Sequence, residues 1–490
     1  MKTGFRRTWR NHTGNQRCQP AEVRRPATLG EIVEAVRDAE GAGLTVRAVG
    51  SGHSWSDAAL TTGILLLPQG LAGPLPLEPE LLRADVDARR LARTGSGTRV
   101  RELNARLEAE GRALSNMGGY DGQTIAGVLS TSTHGSGLRF GPLADMARSL
   151  ELVCSGGRLL RVERANGPTD ARAFARARPG WELVQDDEVF DAAVVGMGCM
   201  GVLYAVTLAV REAFWLKEVR TMSTWEAERE RLGERLGERL REEEHLELFV
   251  NPYTNADGVH ACILTTRTEV PRPPRGHAQH KLERNPLIEL LAQLPFTAPV
   301  LRAILDLSPR ATPRQLDKAL AGLRDDEYTN RSYRVFNIGA ANHLPAYSSE
   351  IGVPLGRHVQ AVDRLLEVAA ARARAGHAYH SSPFSLRFVR RTTAFLSMME
   401  GADTMMIELI MQTGTEGGFE LLAAHEDALY ELGGRPHWGQ VNTLTEPALR
   451  MLYPQLDRWL AVRRELDATG VFSSPFTKRV GLSTVGYAHA

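Results

Sequence analysis

The sequence predicts a two-domain α+β protein, on three observations. Strand-like and helix-like segments alternate as far as about residue 212. A charge-dense, proline-interrupted character begins at about 213. The chain's 490 residues also suffice for two or three separate cores. In order, residues 28–43 place apolar side chains at helical spacing behind Thr28, a residue that can cap. Residues 44–49 alternate as a strand, 63–67 and 82–86 read as further strands, and 98–110 as a helix. A glycine- and Ser/Thr-rich loop is expected over 115–141, strands over 149–154 and 158–162, a helix over 187–194 and a strand over 201–210.

The second domain is expected over 213–460. It opens with an amphipathic helix over 225–245, where Leu232, Leu236 and Leu240 recur four apart among Glu and Arg that form a solvated, ion-paired face. A proline-rich loop follows over 270–285, then a helix over 358–373 and a mixture of strands and short loops to 442. The tail, 470–490, reads as strand and loop. The segment 461–490 is expected to return to the first domain.

Composition excludes several classes of function. Lys and Arg total 59 against 58 for Asp and Glu, a net charge of +1, so the basic excess of a nucleic-acid binder is absent. No apolar run approaches the roughly 18 residues of a membrane span, and no apolar stretch follows the basic start, so neither a span nor a secretory signal is expected. Cys18, Cys154, Cys199 and Cys262 are widely spaced and form no CxxC pair. They read as reduced thiols of a cytoplasmic protein, with no metal site. His377 and His380, three apart, lack acidic or thiol partners nearby and read as structural.

Chemistry concentrates in three glycine-rich loops. The first, Gly50-Ser51-Gly52-His53-Ser54-Trp55, directly follows a strand. Its glycines permit positive φ and let backbone N–H groups approach an anion such as a pyrophosphate. It is not a GxGxxG opening a helix, which argues against a nicotinamide Rossmann site. The second runs from Gln123 to Gly137 and packs hydroxyls and glycines densely enough to form another wall of one phosphate-rich ligand. The third, Gly196-Met-Gly-Cys-Met-Gly201, turns into an apolar strand.

In this order and spacing the three loops resemble the FAD-binding domain of the vanillyl-alcohol-oxidase, or PCMH, type. Trp9-Arg-Asn11, Pro26-Ala-Thr28, Leu386-Arg-Phe388 and His437-Trp-Gly439 make the chain most similar to the sugar-lactone and alditol oxidases. The resemblance implies a PCMH-type FAD-binding domain over 1–212, a substrate-binding cap over 213–460, and FAD bonded covalently through His53 to the flavin 8α-methyl. On the residues alone, the favoured reading of His53 is a hydrogen-bonded loop histidine, and only the resemblance reverses it. FAD contacts are implied for Val49, Gly50, Ser51, Gly52, His53, Ser54, Thr124, Gly127, Thr131, Ser132, Thr133, His134 and Val202. Gly118 falls where Gly or Ala governs oxygen access to the flavin, and Gly favours an oxidase.

Those oxidases set a Glu-x-Arg pair and the lysine of a His-Trp-Gly-Lys segment against the substrate. Here the first reads Ser385-Leu-Arg387 and the second His437-Trp-Gly-Gln440, while a substrate-binding serine is replaced by glycine within Leu114–Gly119. A site built for hydrogen bonding rejects poor partners strongly, so these changes imply a substrate other than a sugar lactone or free alditol. The resulting expectation is a soluble oxidase acting on a small-molecule alcohol or amine of specialised metabolism, with O2 as acceptor and H2O2 as product. Arg387 would stabilise charge at the reacting oxygen, and Gln440, His437 and Ser385 would complete the site. The base is left open between a water, His437 and a tyrosine. The alternatives are a dehydrogenase using a carrier, or a flavoprotein that has lost alcohol oxidation.

Overall fold

The computed structural model describes residues 8–274, 309–338, 345–376 and 379–483. His377 and most of the proline-rich segment after residue 274 lie outside them.

Near the start, a three-stranded parallel sheet joins Glu22–Arg24, Ile64–Leu66 and Val46–Ala48 in that order. The helix Leu29–Gly41 covers it with Ile32, Ala35, Val36 and Ala39, and its capping box pairs Thr28 with Glu31 as the sequence predicts. A five-stranded sheet follows, in the order Glu182–Gln185, Leu159–Glu163, Ala147–Val153, Val202–Ala209 and Leu91–Gly95.

Two local expectations fail here. Residues 82–86 form no strand. Pro79–Leu81 is a single 3-10 turn, Leu82 makes only an isolated bridge to Thr169, and Arg83 and Asp85 pair with each other at the surface at 2.6 Å. Within the small-residue loop, Ile125–Ser130 is a helix, started by Thr124 Oγ1 accepting from Gly127 N–H at 3.3 Å. Six residues with two glycine or serine positions carry too little periodicity to announce it.

The chain beyond residue 214 builds an antiparallel sheet of eight strands. Its order is Asp325–Arg331, Trp215–Thr224, His260–Val270, His245–Thr254, Phe384–Val389, Thr404–Gln412, Ala346–Pro354 and Arg435–Pro436. The helix predicted over 225–245 ends at Glu242, and His245 already belongs to a strand. Leu246, Leu248, Leu386, Ile407 and Ile351 point to the face covered by the helices Trp225–Glu242, His358–Arg374 and Gly418–Tyr430. The period of two therefore sends Glu247, Ser385, Arg387, Glu408 and Glu350 to the opposite face.

The helices Glu446–Leu452 and Leu456–Leu466, with Tyr453 between them, pack Leu449, Tyr453, Trp459 and Leu466 into a core shared with the N-terminal five-stranded sheet. The tail is not purely strand and loop, since Ser474 caps a short helix, Pro475–Arg479. It is fastened to the N-terminal region by Val46 N–H donating to Val471 O at 2.7 Å and by Arg479 pairing with Asp57 at 2.6 Å. Among the described residues no helix is long and apolar enough to cross a membrane.

Asp467 sits buried under this return, 3.3 Å from Arg463 Nη2, and burial pushes its carboxyl up to about 6 despite the guanidinium. A raised folded pKa means that the native state holds a proton the unfolded chain has released. Its contribution is thus complete below about pH 4 and lost as pH rises through about 6. Asp467→Asn is expected to remove this slope, worth about 2 kcal/mol between pH 4 and 7, from thermal-unfolding curves. Parallel Tm-against-pH profiles for the two proteins would contradict this.

Candidate active site

Two adjoining clefts meet at the 50–55 loop. The first is lined by Val49, Gly50, Ser51, Gly52, His53 and Ser54, by Thr124, Gly127 and Thr131, and by the turn from Gly196 to Gly201. A Cβ at Gly50 would collide with the Thr124 side chain, so the loop can lie on that helix start only as glycine. Gly52 takes a left-handed φ of 71°. Asn11 Nδ2 donates to Ser54 O at 3.0 Å and His12 N–H to Gly52 O at 2.9 Å, which gives the Trp9–Asn11 segment its part in shaping the loop.

Three donors in this cleft are orphaned. Arg47 Nη1, Trp55 Nε1 and Ser96 Oγ are buried in its wall without a hydrogen-bond partner. Unsatisfied buried donors beside the glycine loop fit a polar, anionic ligand such as the pyrophosphate of a dinucleotide.

The second cleft, a cavity of about 180 Å³, contains Gly118, Tyr120, Thr133, His134, Ile338, Glu350, Arg387, Glu408, Ile410, His437 and Gln440. His53, Trp55, Gln123, His437 and Gln440 line both clefts. The His437–Gln440 segment is joined to the glycine loop by Trp55 N–H donating to Gly439 O at 2.7 Å and Ser56 Oγ to Trp438 O at 2.6 Å. A dinucleotide in the first cleft and a substrate in the second would thus meet at His53, His437 and Gln440.

Three residues implied by the sequence lie off both clefts. Ser385 is buried and donates to Glu247 Oε1 at 3.3 Å. Ser132 pairs with Ser397 Oγ at 2.7 Å, and Val202 is packed in the small core under the first helix. In each case the strand or turn directs the side chain into packing, while Thr131, Thr133 and Leu203 beside them face a cleft.

The electrostatics come from a string of ion pairs that takes charges from six consecutive strands. Arg220 lies 3.2 Å from Glu218, and Arg267 bridges Glu218 at 2.7 Å and Glu247 at 3.0 Å. Arg387 Nε then donates to Glu247 at 2.7 Å, and its Nη1 forms ion pairs with Glu408 at 3.1 Å and Glu350 at 3.7 Å. Burial would raise Glu247, but Arg387 and Arg267 outweigh it and hold its carboxyl well below the usual range. Glu350 follows the same logic. Burial is overcome by His134, at 3.1 Å, together with His437 and Arg387, and its carboxyl falls to about 2. Glu408 goes the other way: burial, aided by the carboxylates of Glu350 and Glu247, raises its pKa against the pull of Arg387. The cavity therefore holds one carboxyl displaced toward neutrality beside one firmly ionised, an arrangement that can accept a proton.

Burial lowers His437 to about 4, so its imidazole is neutral. Its Nδ1 accepts from Gly439 N–H at 3.0 Å, which leaves the proton on Nε2 and makes that atom a donor. Gln440 Oε1 accepts from Ser348 Oγ, which also lies 3.4 Å from Glu408 Oε1. A Cβ at Gly119 would strike the Ile338 side chain, so an isoleucine fills the space a serine there would need.

Sequence reasoning missed Arg47, Tyr120, Glu247, Glu350 and Glu408. For Glu408 a signal existed, since it stands alone in the apolar run Met405-Met-Ile-Glu-Leu-Ile, the same cue that singles out Arg387. Glu350 and Glu247 sit in mixed segments and acquire meaning only from cross-strand register, in which Glu350 faces Glu408 and Glu247 faces Arg387.

Fold and sequence likeness together define an FAD-dependent oxidoreductase. Residues 20–163 match the FAD-binding domain family. Residues 206–480 match the D-arabinono-1,4-lactone oxidase family, and the chain belongs to it. It is 30% identical to an L-gulono-1,4-lactone dehydrogenase of Mycobacterium tuberculosis, across 96% of this chain and 98% of that one. It is 28% identical to an alditol oxidase of a Streptomyces species, across 96% and 97%. Among solved structures it resembles cholesterol oxidase from B. sterolicum, with a TM-score of 0.76 over 97% of each chain at 15% identity, a likeness of fold. Members of the family act on sugar lactones or alcohols.

Proposed function

We propose that the protein is an oxidase that removes a hydride from a C–OH, or C–N, carbon of a specialised metabolite and passes the electrons to O2, giving H2O2. The substrate wall carries this reading. Where sugar-lactone and alditol oxidases place a lysine and a serine, this cavity presents Gln440, bound to Ser348, and Gly119 overlain by Ile338. A cation and a hydroxyl are exchanged for an amide and a methyl surface, which favours a less polar or larger alcohol.

Residues 1–212 would hold FAD, with His53 as the covalent anchor, residues 213–460 the substrate, and 461–490 would close back on the first part. FAD supplies the hydride-accepting ring. Arg387 steadies negative charge on the reacting oxygen, His437 orients that oxygen through its Nε2–H, and Glu408 accepts the hydroxyl proton. Gly118 leaves room for oxygen, and the reduced, unpaired cysteines support a cytoplasmic setting.

The test is anaerobic mixing of the purified yellow protein with sugar lactones, alditols and fractionated cell metabolites, followed by admission of air. Flavin bleaching by a metabolite fraction, little by L-gulono-1,4-lactone or xylitol, and stoichiometric H2O2 on reoxidation are expected. Full bleaching by the simple lactone would end the substrate argument. Bleaching without peroxide would favour the dehydrogenase reading.

A further inference from the structure

His53 is held on two sides. Its ring stacks on His12 with centroids 4.2 Å apart and planes at 26°, and Tyr120 lies across it at 4.3 Å and 45°. The Tyr120 hydroxyl is 2.7 Å from His53 Nε2. The hydroxyl end of Tyr120 also occupies the space a Cβ would take at Gly122, so the local backbone is shaped around this ring. Tyr120 and His53 both line the substrate cavity, and His53 alone of the two reaches the cofactor cleft.

From this geometry we propose that Tyr120 is a positioning residue for covalent attachment of the flavin, fixing the tautomer of His53 and carrying away its proton as the bond forms. The inference rests on the attachment through His53 proposed above.

The chemistry follows from which nitrogen is engaged. With Nε2–H donating to Tyr120 Oη, the lone pair of Nδ1 stays uncommitted and nucleophilic. Burial first, then the neighbouring His12 and Arg99, lower His53 to about 3, so the ring is neutral at physiological pH. In the attachment step one C–H bond of the 8α-methyl breaks, its electron pair passing into the isoalloxazine ring and its proton to water. The Nδ1 lone pair forms the new N–C bond. The imidazole, now positive, gives up its Nε2 proton through the tyrosine oxygen. Dioxygen takes the two electrons and the two released protons and leaves as hydrogen peroxide, which balances the step. Burial raises the Tyr120 pKa, so the phenol stays neutral and relays the proton rather than keeping a charge.

The experiment compares wild type, Tyr120→Phe and His53→Ala, produced under riboflavin limitation and then given excess FAD. Total bound FAD is read from visible absorbance, and attached FAD from the colour and fluorescence kept by acid-precipitated protein. Expected are complete attachment in wild type, none in H53A, and in Y120F normal total FAD with attachment slowed about a hundredfold. Attachment at the wild-type rate in Y120F overturns the proposal. So does a parallel loss of total and attached FAD, or no uptake at all, because either would make Tyr120 a residue that shapes the cleft. Tyr120→His, which keeps a hydrogen-bonding atom on the ring, should recover part of the rate, and no recovery would count against the relay. A wild type without attached flavin, or H53A with it, defeats the covalent reading itself.

Discussion

Arg387→Ala is expected to abolish most of the turnover while leaving FAD bound, and to cost about 3–5 kcal/mol of stability. The guanidinium is largely shielded and answers Glu247 at 2.7 Å, Glu408 at 3.1 Å and Glu350 at 3.7 Å. Removing it leaves Glu408 without its cation and weakens the hold on Glu247 and Glu350, which keep only Arg267 and His134, so the wall must take up a proton. Glu247 loses one of the two guanidinium groups that hold its pKa down, and protons bind at the reacting end just where a negative charge has to be tolerated. Loss of one such preorganised donor slows a reaction by about 10²–10³-fold. The check is the rate of anaerobic flavin bleaching by whichever metabolite reduces wild type, with Tm and flavin absorbance measured alongside. An unchanged bleaching rate would move Arg387 out of the site.

Gly50→Ala should act on the other cleft and leave the protein largely colourless. An added Cβ meets Thr124 Oγ1 directly, and the Cβ and Cγ2 of the same threonine both lie 3.1 Å away, so no rotation of that short side chain clears the space. Pushing Thr124 aside also removes the cap of Ile125–Ser130, worth about 1 kcal/mol. The folded core should therefore survive with a displaced phosphate wall. Purified G50A is expected to carry less than about a tenth as much FAD as wild type, which corresponds to roughly 1.4 kcal/mol of lost binding. Full occupancy, measured as the ratio of flavin to protein absorbance, would show that the loop does not touch the cofactor.

These two residues illustrate what sequence could and could not reveal. The glycine loop was readable because its chemistry is local: Gly50 through Ser54 are contiguous and directly follow a short strand. Arg387 was readable as a lone charge in an apolar strand. Its partners were not, because Glu247, Glu350 and Glu408 come from three other strands, and only antiparallel register brings Glu247 opposite Arg387 and Glu350 opposite Glu408. Ser385 shows the converse. Similarity in sequence put it at the reacting centre, whereas its hydroxyl turns to Glu247, and the carboxyl facing the cavity comes from its cross-strand neighbour Glu408. The short helix Ile125–Ser130 escaped because capping by Thr124, more than periodicity, makes it.

The string of alternating charges from Arg220 to Glu408 also limits how this protein can change what it accepts. Each inner member satisfies at least two neighbours, so a single replacement among them leaves an odd charge elsewhere along the string. Variants that reshape the specificity of such a wall will therefore arise most easily as compensated pairs, one cation removed with one anion. A lineage or a designer altering one position at a time meets a fitness valley before any gain.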